Sequence, residues 1–498
     1  MDVDLYDALV ADHDRHRPCL VLDDGDVWTY GDLARRSDEL AGALGACGVV
    51  TGDRVVVQVH KSADAVALYL ACLRSGAVHV PINTAYTPAE VAGLVDDARP
   101  TLFVGRPGAP APAGVRAETL GTDGSGTLPG HAALGSAPVT PRSSGDWAAM
   151  LYTSGTTGRP KGAMLSRGNL LSNARALVRA WRFEPDDVLV HVLPVFHVHG
   201  LFVALHCALA VGATIRLHGR FDVDAVIADL PRSTVLMGVP THYHRLLADP
   251  GLDSDACAGM RLFTSGSAPL PAHEHEAFAR RTGHRIIERY GMTETMILTS
   301  NPYDGERIAG TVGHALDDVE LRVADDHGAP VPAGAAGTVE VRGPNLFLGY
   351  WNRPDATAAA MREDGFFITG DVGHLDDDGR LTLAGRASDL IISGGYNVYP
   401  KEIELVLDQA PGVDESAVIG LPDPDLGEAV VAVVVADGAV DEAAVLGACE
   451  GLARFKRPRR LVVVDELPRN AMGKVQKAVL RQQLGSPGAT PALPVPQG

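Results

Sequence analysis

A chain of 498 residues is too long for one core and fits two or three domains. Its formal net charge of −19 argues against nonspecific nucleic-acid binding, which needs cations facing phosphates. No apolar run has the length of a membrane span, and the acidic N-terminus carries no apolar segment behind a basic cluster, so a cytoplasmic protein with neither signal peptide nor membrane partner is expected. Cys19, Cys47, Cys72, Cys207, Cys257 and Cys449 lack CxxC spacing and read as reduced, buried thiols, not staples or zinc ligands.

In chain order, TYGDLARRSDELAGALGACG places Leu33, Leu40 and Leu44 at helical spacing, with Gly48 as a stop. The β-branched run Arg54–Val59 predicts a buried strand, followed by a helix over Ala63–Gly76 and a short strand near Val78–Ile82. Such alternation implies a largely parallel sheet covered by helices. Residues 105–146, rich in Pro, Gly, Ser and Ala, read as surface loop around short elements, and alternation resumes from Trp147 to about Arg289. After Gly310 the pattern turns β-rich: Val319–Val323, Thr338–Arg342 and Leu381–Leu383 are short strands, with a hairpin signal at Asp378–Gly379. From Asp389 a small α+β unit is expected. It has a helix opened by Pro400, strands at Ser416–Ile419 and Val430–Val435, a helix near Glu442–Leu452 and a strand at Leu461–Val464. The fold class is therefore α/β. A large N-terminal domain over 1–387, with a β-rich subdomain over about 310–387, a small C-terminal domain over 388–485 and a disordered tail over 486–498 are expected.

The first chemical signal is Tyr152-Thr153-Ser154-Gly155-Thr156-Thr157-Gly158-Arg159-Pro160-Lys161-Gly162. It brings hydroxyls, backbone N–H groups and one ammonium together, as a polyphosphate site requires. It is not a Walker A loop, because Pro160 precedes the lysine and no Gly-Lys-Ser/Thr opens a helix. Read alone, the segment is equally a flexible Ser/Thr/Gly turn.

The loop resembles the signature of the adenylate-forming superfamily of acyl-CoA synthetases, luciferases and peptide-synthetase adenylation domains. Further signatures follow in that superfamily's order: Phe196-His197, Gly266-Ser267-Ala268-Pro269, Tyr290-Gly291-Met292-Thr293-Glu294, Thr369-Gly370-Asp371, Gly385-Arg386, Gly394-Gly395-Tyr396-Asn397 and Gly473-Lys474. The likeness covers nearly the whole chain. It implies ATP or AMP binding by Thr153, Ser154, Gly155, Thr156, Thr157, Lys161, Gly266–Pro269, Glu288, Tyr290, Gly291, Met292, Thr293, Asp371 and Arg386. Tyr290 would stack on adenine, beside the small side chains of Gly266–Pro269. Asp371 would accept from the ribose hydroxyls, and Arg386 would add a ribose or phosphate contact. Glu294, a hard oxygen ligand, would hold Mg²⁺ against the phosphates. The resemblance makes Lys474, Thr293, Glu294 and His197 catalytic, with Lys474 stabilising charge on the phosphoryl oxygens during adenylation. It places coenzyme A, a co-substrate, at Gly394, Gly395 and Tyr396. Ser388 falls at the hinge, where many relatives carry Asp or Lys.

Arg289 speaks to the acid. Many relatives have a small or apolar residue just before the Tyr-Gly-x-Thr-Glu run, and an arginine there would reach the acyl pocket and bind a second carboxylate bidentately, with His197 beside it. His199 also flanks that pocket, and Met296, Ile297 and Leu298 would wall it. The alternative is an Arg289 that pairs with Glu288 or points outward. The run RYGMTETMILTSNPYDGERIAGTVG resembles malonyl-CoA synthetases. The implied activity is ATP-dependent formation of malonyl-CoA or methylmalonyl-CoA through an acyl-AMP, by an enzyme expected to be a monomer or weak dimer with small-molecule partners only. A ligase for another short acid, or a stand-alone adenylating enzyme that loads a carrier protein, remains open. Lys456, Arg457, Arg459 and Arg460 are candidates for the coenzyme A phosphates by charge alone.

Overall fold

The computed structural model describes residues 4–134, 142–153, 160–436, 438, 440–470 and 473–485. Among these, strands gather into four sheets. The largest runs in the order His314–Ala315, Met296–Ser300, Ile287–Met292, Leu262–Ser265, Val235–Gly238, Val188–His191, Thr214–Leu217, Pro18–Leu22 and Val27–Thr29. Its six middle strands are parallel, and its outer strands are antiparallel. A second, seven-stranded sheet holds Arg54–Val57, Val78–Pro81, Leu102–Gly105 and Arg116–Thr119 in parallel. Trp147–Thr153 joins Val78–Pro81 in parallel and then pairs antiparallel with Lys161–Ser166, which continues to Gly349–Tyr350. Val55, Val56 and Val57 are all buried, as expected of a strand covered on both faces.

Local chemistry sets the helix limits. Thr29 and Asp32 form a capping box at the start of Tyr30–Ala46. Ser62 caps Ala63–Ser75, which ends where Gly76 takes φ +74°. The segment read as loop between 105 and 146 contains the edge strand Arg116–Thr119 and a short 3-10 turn at Pro129–Leu134.

The β-rich subdomain is a four-stranded antiparallel sheet of Glu320–Ala324, Gly337–Arg342, Phe367–Leu375 and Leu381–Arg386. The turn carrying Asp378-Gly379 joins the last two strands, with Gly379 at φ +79°. The C-terminal unit has its own sheet, built on Glu415–Asp423 and Gly427–Val435 with Arg460–Val464 added in parallel. Its two apolar clusters draw only on residues between Ile391 and Leu484. No helix among the described residues is long and apolar enough to cross a membrane.

Candidate active site

The site is built where strand ends of three sheets meet. Strand Ile287–Met292 alternates its side chains, so Glu288 and Tyr290 face one way while Arg289 faces the other. The turn Thr293–Thr295 follows, and Gly291 sits so close to Met296 that a side chain there would strike its carbonyl. Thr293 and Glu294 thus occupy a tight turn at a strand end.

On the Tyr290 side, the hydroxyl of Tyr290 donates to Asp371, and Arg386 Nε lies 2.8 Å from the other oxygen of the same carboxylate. Asp371 and Arg386 are opposite one another across neighbouring strands. Burial opposes the charge of Arg386, but Asp371, Tyr290 and Glu294 outweigh it and raise its pKa. Glu288 is buried; its carboxylate accepts from Gly310 N–H at 2.9 Å, and burial raises it to about 7. It does not pair with Arg289.

Glu294 is buried, burial raises its pKa, and it accepts a hydrogen bond from Tyr350 Oη at 2.8 Å. Among the described residues no cation forms an ion pair with it. A buried carboxylate with one neutral donor and an unbalanced charge fits a divalent cation. Lys161 Nζ stands 5.1 Å over the Tyr350 ring, which ties the glycine-hydroxyl hairpin to Glu294. Tyr350 escaped the sequence reading because a tyrosine after Leu346-Phe347-Leu348 looks like core. The hairpin stems put Thr153 opposite Lys161. Ser154, Gly155, Thr156 and Thr157 lie outside the described residues.

On the Arg289 side, the guanidinium is 5% exposed and lies against Gly266, where a Cβ would come within 2.5 Å of Cζ. Its Nε and Nη2 have no hydrogen-bond partner, and burial lowers its pKa to about 10. Burial and then Arg289 lower the pKa of His197 to about 4 and push His199 well below the ordinary histidine range. Both imidazoles are therefore neutral at pH 7. Ser267, φ +70°, brings its hydroxyl to 3.3 Å from His199 Nδ1. Met296, Ile297 and Leu298 are buried.

Lys474 reaches this cleft from the C-terminal unit. Burial, then Arg386, lowers its pKa, while Asp371 and Asp389 act in the opposite sense. The residue as a whole keeps accessible surface. Asn470 Oδ1 accepts from its backbone N–H at 3.0 Å, and neighbouring Gly473, φ +75°, abuts Thr241. Ser388 is exposed in the 3-10 turn Ala387–Asp389. Gly394 and Gly395, at φ +60° and +81°, form a hairpin turn, and Tyr396 stacks on Phe455 at 4.6 Å. No described hydrogen bond or ion pair joins this hairpin to Asp371 or Arg289. Of the four cations considered for coenzyme A, Lys456 pairs with Glu402 and Arg457 bonds Leu452 and Glu450 carbonyls; Arg459 and Arg460 are exposed.

The buried carboxylates Asp371 and Glu294, Lys474 and the Arg289 guanidinium are carried by the signature segments of an adenylate-forming enzyme. The chain belongs to the AMP-binding enzyme family: the family's main segment matches residues 8–351, and its C-terminal domain matches 402–474. It is an AMP-forming acid–CoA ligase by family and by relatives. The indoleacetate–CoA ligase of Aromatoleum aromaticum is 37% identical over 482 residues, covering 91% of this chain and 92% of the relative. The malonate–CoA ligase of Arabidopsis thaliana is 36% identical over 482 residues, covering 88% and 79%. The crystal structure of ATP-bound MatB from Rhodopseudomonas palustris is 49% identical, with TM-score 0.94 over 97% of this chain and 99% of that one. Against apo MatB, at the same identity and coverage, the TM-score is 0.85. The present structure therefore superposes more closely on the ATP-bound form than on the apo form.

Proposed function

We propose that the protein joins a small dicarboxylate, malonate or methylmalonate, to coenzyme A at the expense of ATP, which becomes AMP and pyrophosphate. Malonate–CoA ligases among the relatives support this reading, alongside a ligase named for indoleacetate. Arg289 carries the choice. It is a buried guanidinium with two unpartnered nitrogens and, among the described residues, no ion pair to a carboxylate. A lone buried cation is costly, and a second carboxylate on the substrate supplies the missing partner.

In the first half-reaction the reacting carboxylate attacks the α-phosphate of ATP, and pyrophosphate leaves. Asp371, held by Arg386 and Tyr290, receives the ribose. Lys161 and the hydroxyl loop receive the phosphates, with Glu294 holding Mg²⁺, which neutralises phosphate charge. Lys474 balances the charge that gathers on the α-phosphoryl oxygens. His197, neutral beside Arg289, can donate one hydrogen bond, from Nε2, without adding charge. In the second half-reaction the coenzyme A thiol attacks the acyl carbon, loses its proton, and AMP departs. We assign that step to a rotated C-terminal unit, residues 388–485, turning at Ser388 on the body 1–387. The hairpin of Gly394, Gly395 and Tyr396 then lines the thiol's path, since a Cβ at Gly395 meets nothing within 4 Å. The separate apolar clusters of that unit support its moving as a body. Six buried free cysteines fit the reducing cytoplasm. A monomer or weak dimer is expected, and light scattering reads it.

The test is ATP–pyrophosphate exchange with a panel of short mono- and dicarboxylates, followed by thioester formation. Malonate or methylmalonate should lead acetate, propionate and butyrate by orders of magnitude. Equal exchange across the panel would remove the dicarboxylate reading.

A further inference from the structure

His199 is 1% exposed, and its Nε2 has no hydrogen-bond partner. Its Nδ1 is engaged: Ser267 Oγ lies 3.3 Å away. Ser267 follows Gly266, on which the Arg289 guanidinium rests, so the imidazole, the hydroxyl and the guanidinium line one wall. Arg289 is the first charge acting on His199, yet neither Nε nor Nη2 of Arg289 bonds to it. Two buried polar groups, one cationic and one neutral, therefore share a pocket with unfilled hydrogen-bonding capacity on both. Unfilled capacity of that kind costs stability in a folded protein and marks a place for a ligand.

We propose that His199 Nε2–H is the second donor, beside Arg289, to the carboxylate that does not react, with Ser267 as the positioning residue that fixes this tautomer. The tautomer follows from the ligand. A neutral imidazole has one N–H. If Nδ1 held it, Nε2 would turn a lone pair toward an anion. If the Ser267 hydroxyl donates to Nδ1, the proton resides on Nε2 and meets the carboxylate. Ser267 holds a left-handed backbone conformation that disfavours a side chain, and glycine would adopt it at no cost. A serine retained there keeps its hydroxyl against His199. His197 is placed differently: its Nδ1 accepts from the His199 backbone N–H at 3.3 Å, and the residue is partly exposed.

The inference rests on the dicarboxylate reading, and the experiment separates the two. Steady-state exchange is measured for wild type, His199→Ala, His199→Gln, His199→Asn and Ser267→Gly, with malonate and with butyrate. Glutamine places an N–H donor near the Nε2 position, whereas asparagine reaches only the Nδ1 position. His199→Ala and His199→Asn should raise KM for malonate about tenfold or more, the scale of a lost hydrogen bond to a charged group. KM for ATP should stay put, and His199→Gln should recover most of the loss. Ser267→Gly, which relaxes the backbone while deleting the hydroxyl, should raise KM for malonate several-fold, with butyrate unaffected. An unchanged malonate-to-butyrate ratio in all four variants overturns the proposal, as does a parallel loss of ATP affinity or a failure of glutamine to exceed asparagine. A wild type with no preference for malonate would instead remove the dicarboxylate reading.

Discussion

Replacing Arg289 with leucine tests the core of the substrate assignment. The guanidinium is buried, lies on Gly266 and leaves Nε and Nη2 free, a geometry open to bidentate binding. Each charge-assisted hydrogen bond contributes about 1.5–3 kcal/mol, so losing two removes about 3–6 kcal/mol. At about 1.4 kcal/mol per tenfold, kcat/KM for malonate should fall about 10²–10⁴-fold. Stability should move little or rise, because leucine removes a buried charge that forms no ion pair among the described residues. A melting curve therefore separates lost recognition from lost folding. The readout is the ratio of kcat/KM for malonate to that for butyrate in both proteins, with butyrate gaining weak activity in the variant. An unchanged ratio in a folded variant would refute the reasoning and return Arg289 to a structural role.

Three further outcomes are expected. Lys474→Ala should slow acyl-AMP formation about 10²–10³-fold while sparing thioester formation from supplied acyl-AMP, and equal losses in both half-reactions would contradict the assignment. A bulky residue at Gly395 should slow thioester formation while ATP–pyrophosphate exchange continues; parallel loss would show that the hairpin does not border the thiol's path. Glu288 is held at about 7 against an ordinary 4.5, so the folded state binds its proton more tightly and stability falls as pH rises between these values, by on the order of 3 kcal/mol. Glu288→Gln keeps an acceptor for Gly310 N–H, so the drop in melting temperature from pH 5 to pH 8 should shrink in the variant; an unaltered drop would count against the shift.

Much of this protein was legible in its sequence because the relevant signals are local. Apolar spacing, glycine stops and the Pro400 start fixed helices to within a residue or two, as Tyr30–Ala46, Ala63–Ser75 and Pro400–Leu407 show, whereas the strand expected at Ser416–Ile419 runs over Glu415–Asp423. Phe367–Leu375 was overlooked as a strand because Thr369-Gly370-Asp371 interrupts its pattern with a turn-like triplet. Alternation along 287–292 separated Arg289 from Tyr290, but whether Arg289 met an acid depended on what lay across the pocket. Glu288, its nearest acid in sequence, turns to Gly310 instead. The approach of Tyr350 to Glu294, the hydroxyl of Ser267 on His199, and the arrival of Lys474 beside Arg386 join residues 56, 68 and 88 positions apart. Periodicity and propensity describe neighbours along the chain; only the packing of separate sheets sets which distant side chains share one cleft, and with it which buried charges remain unpaired.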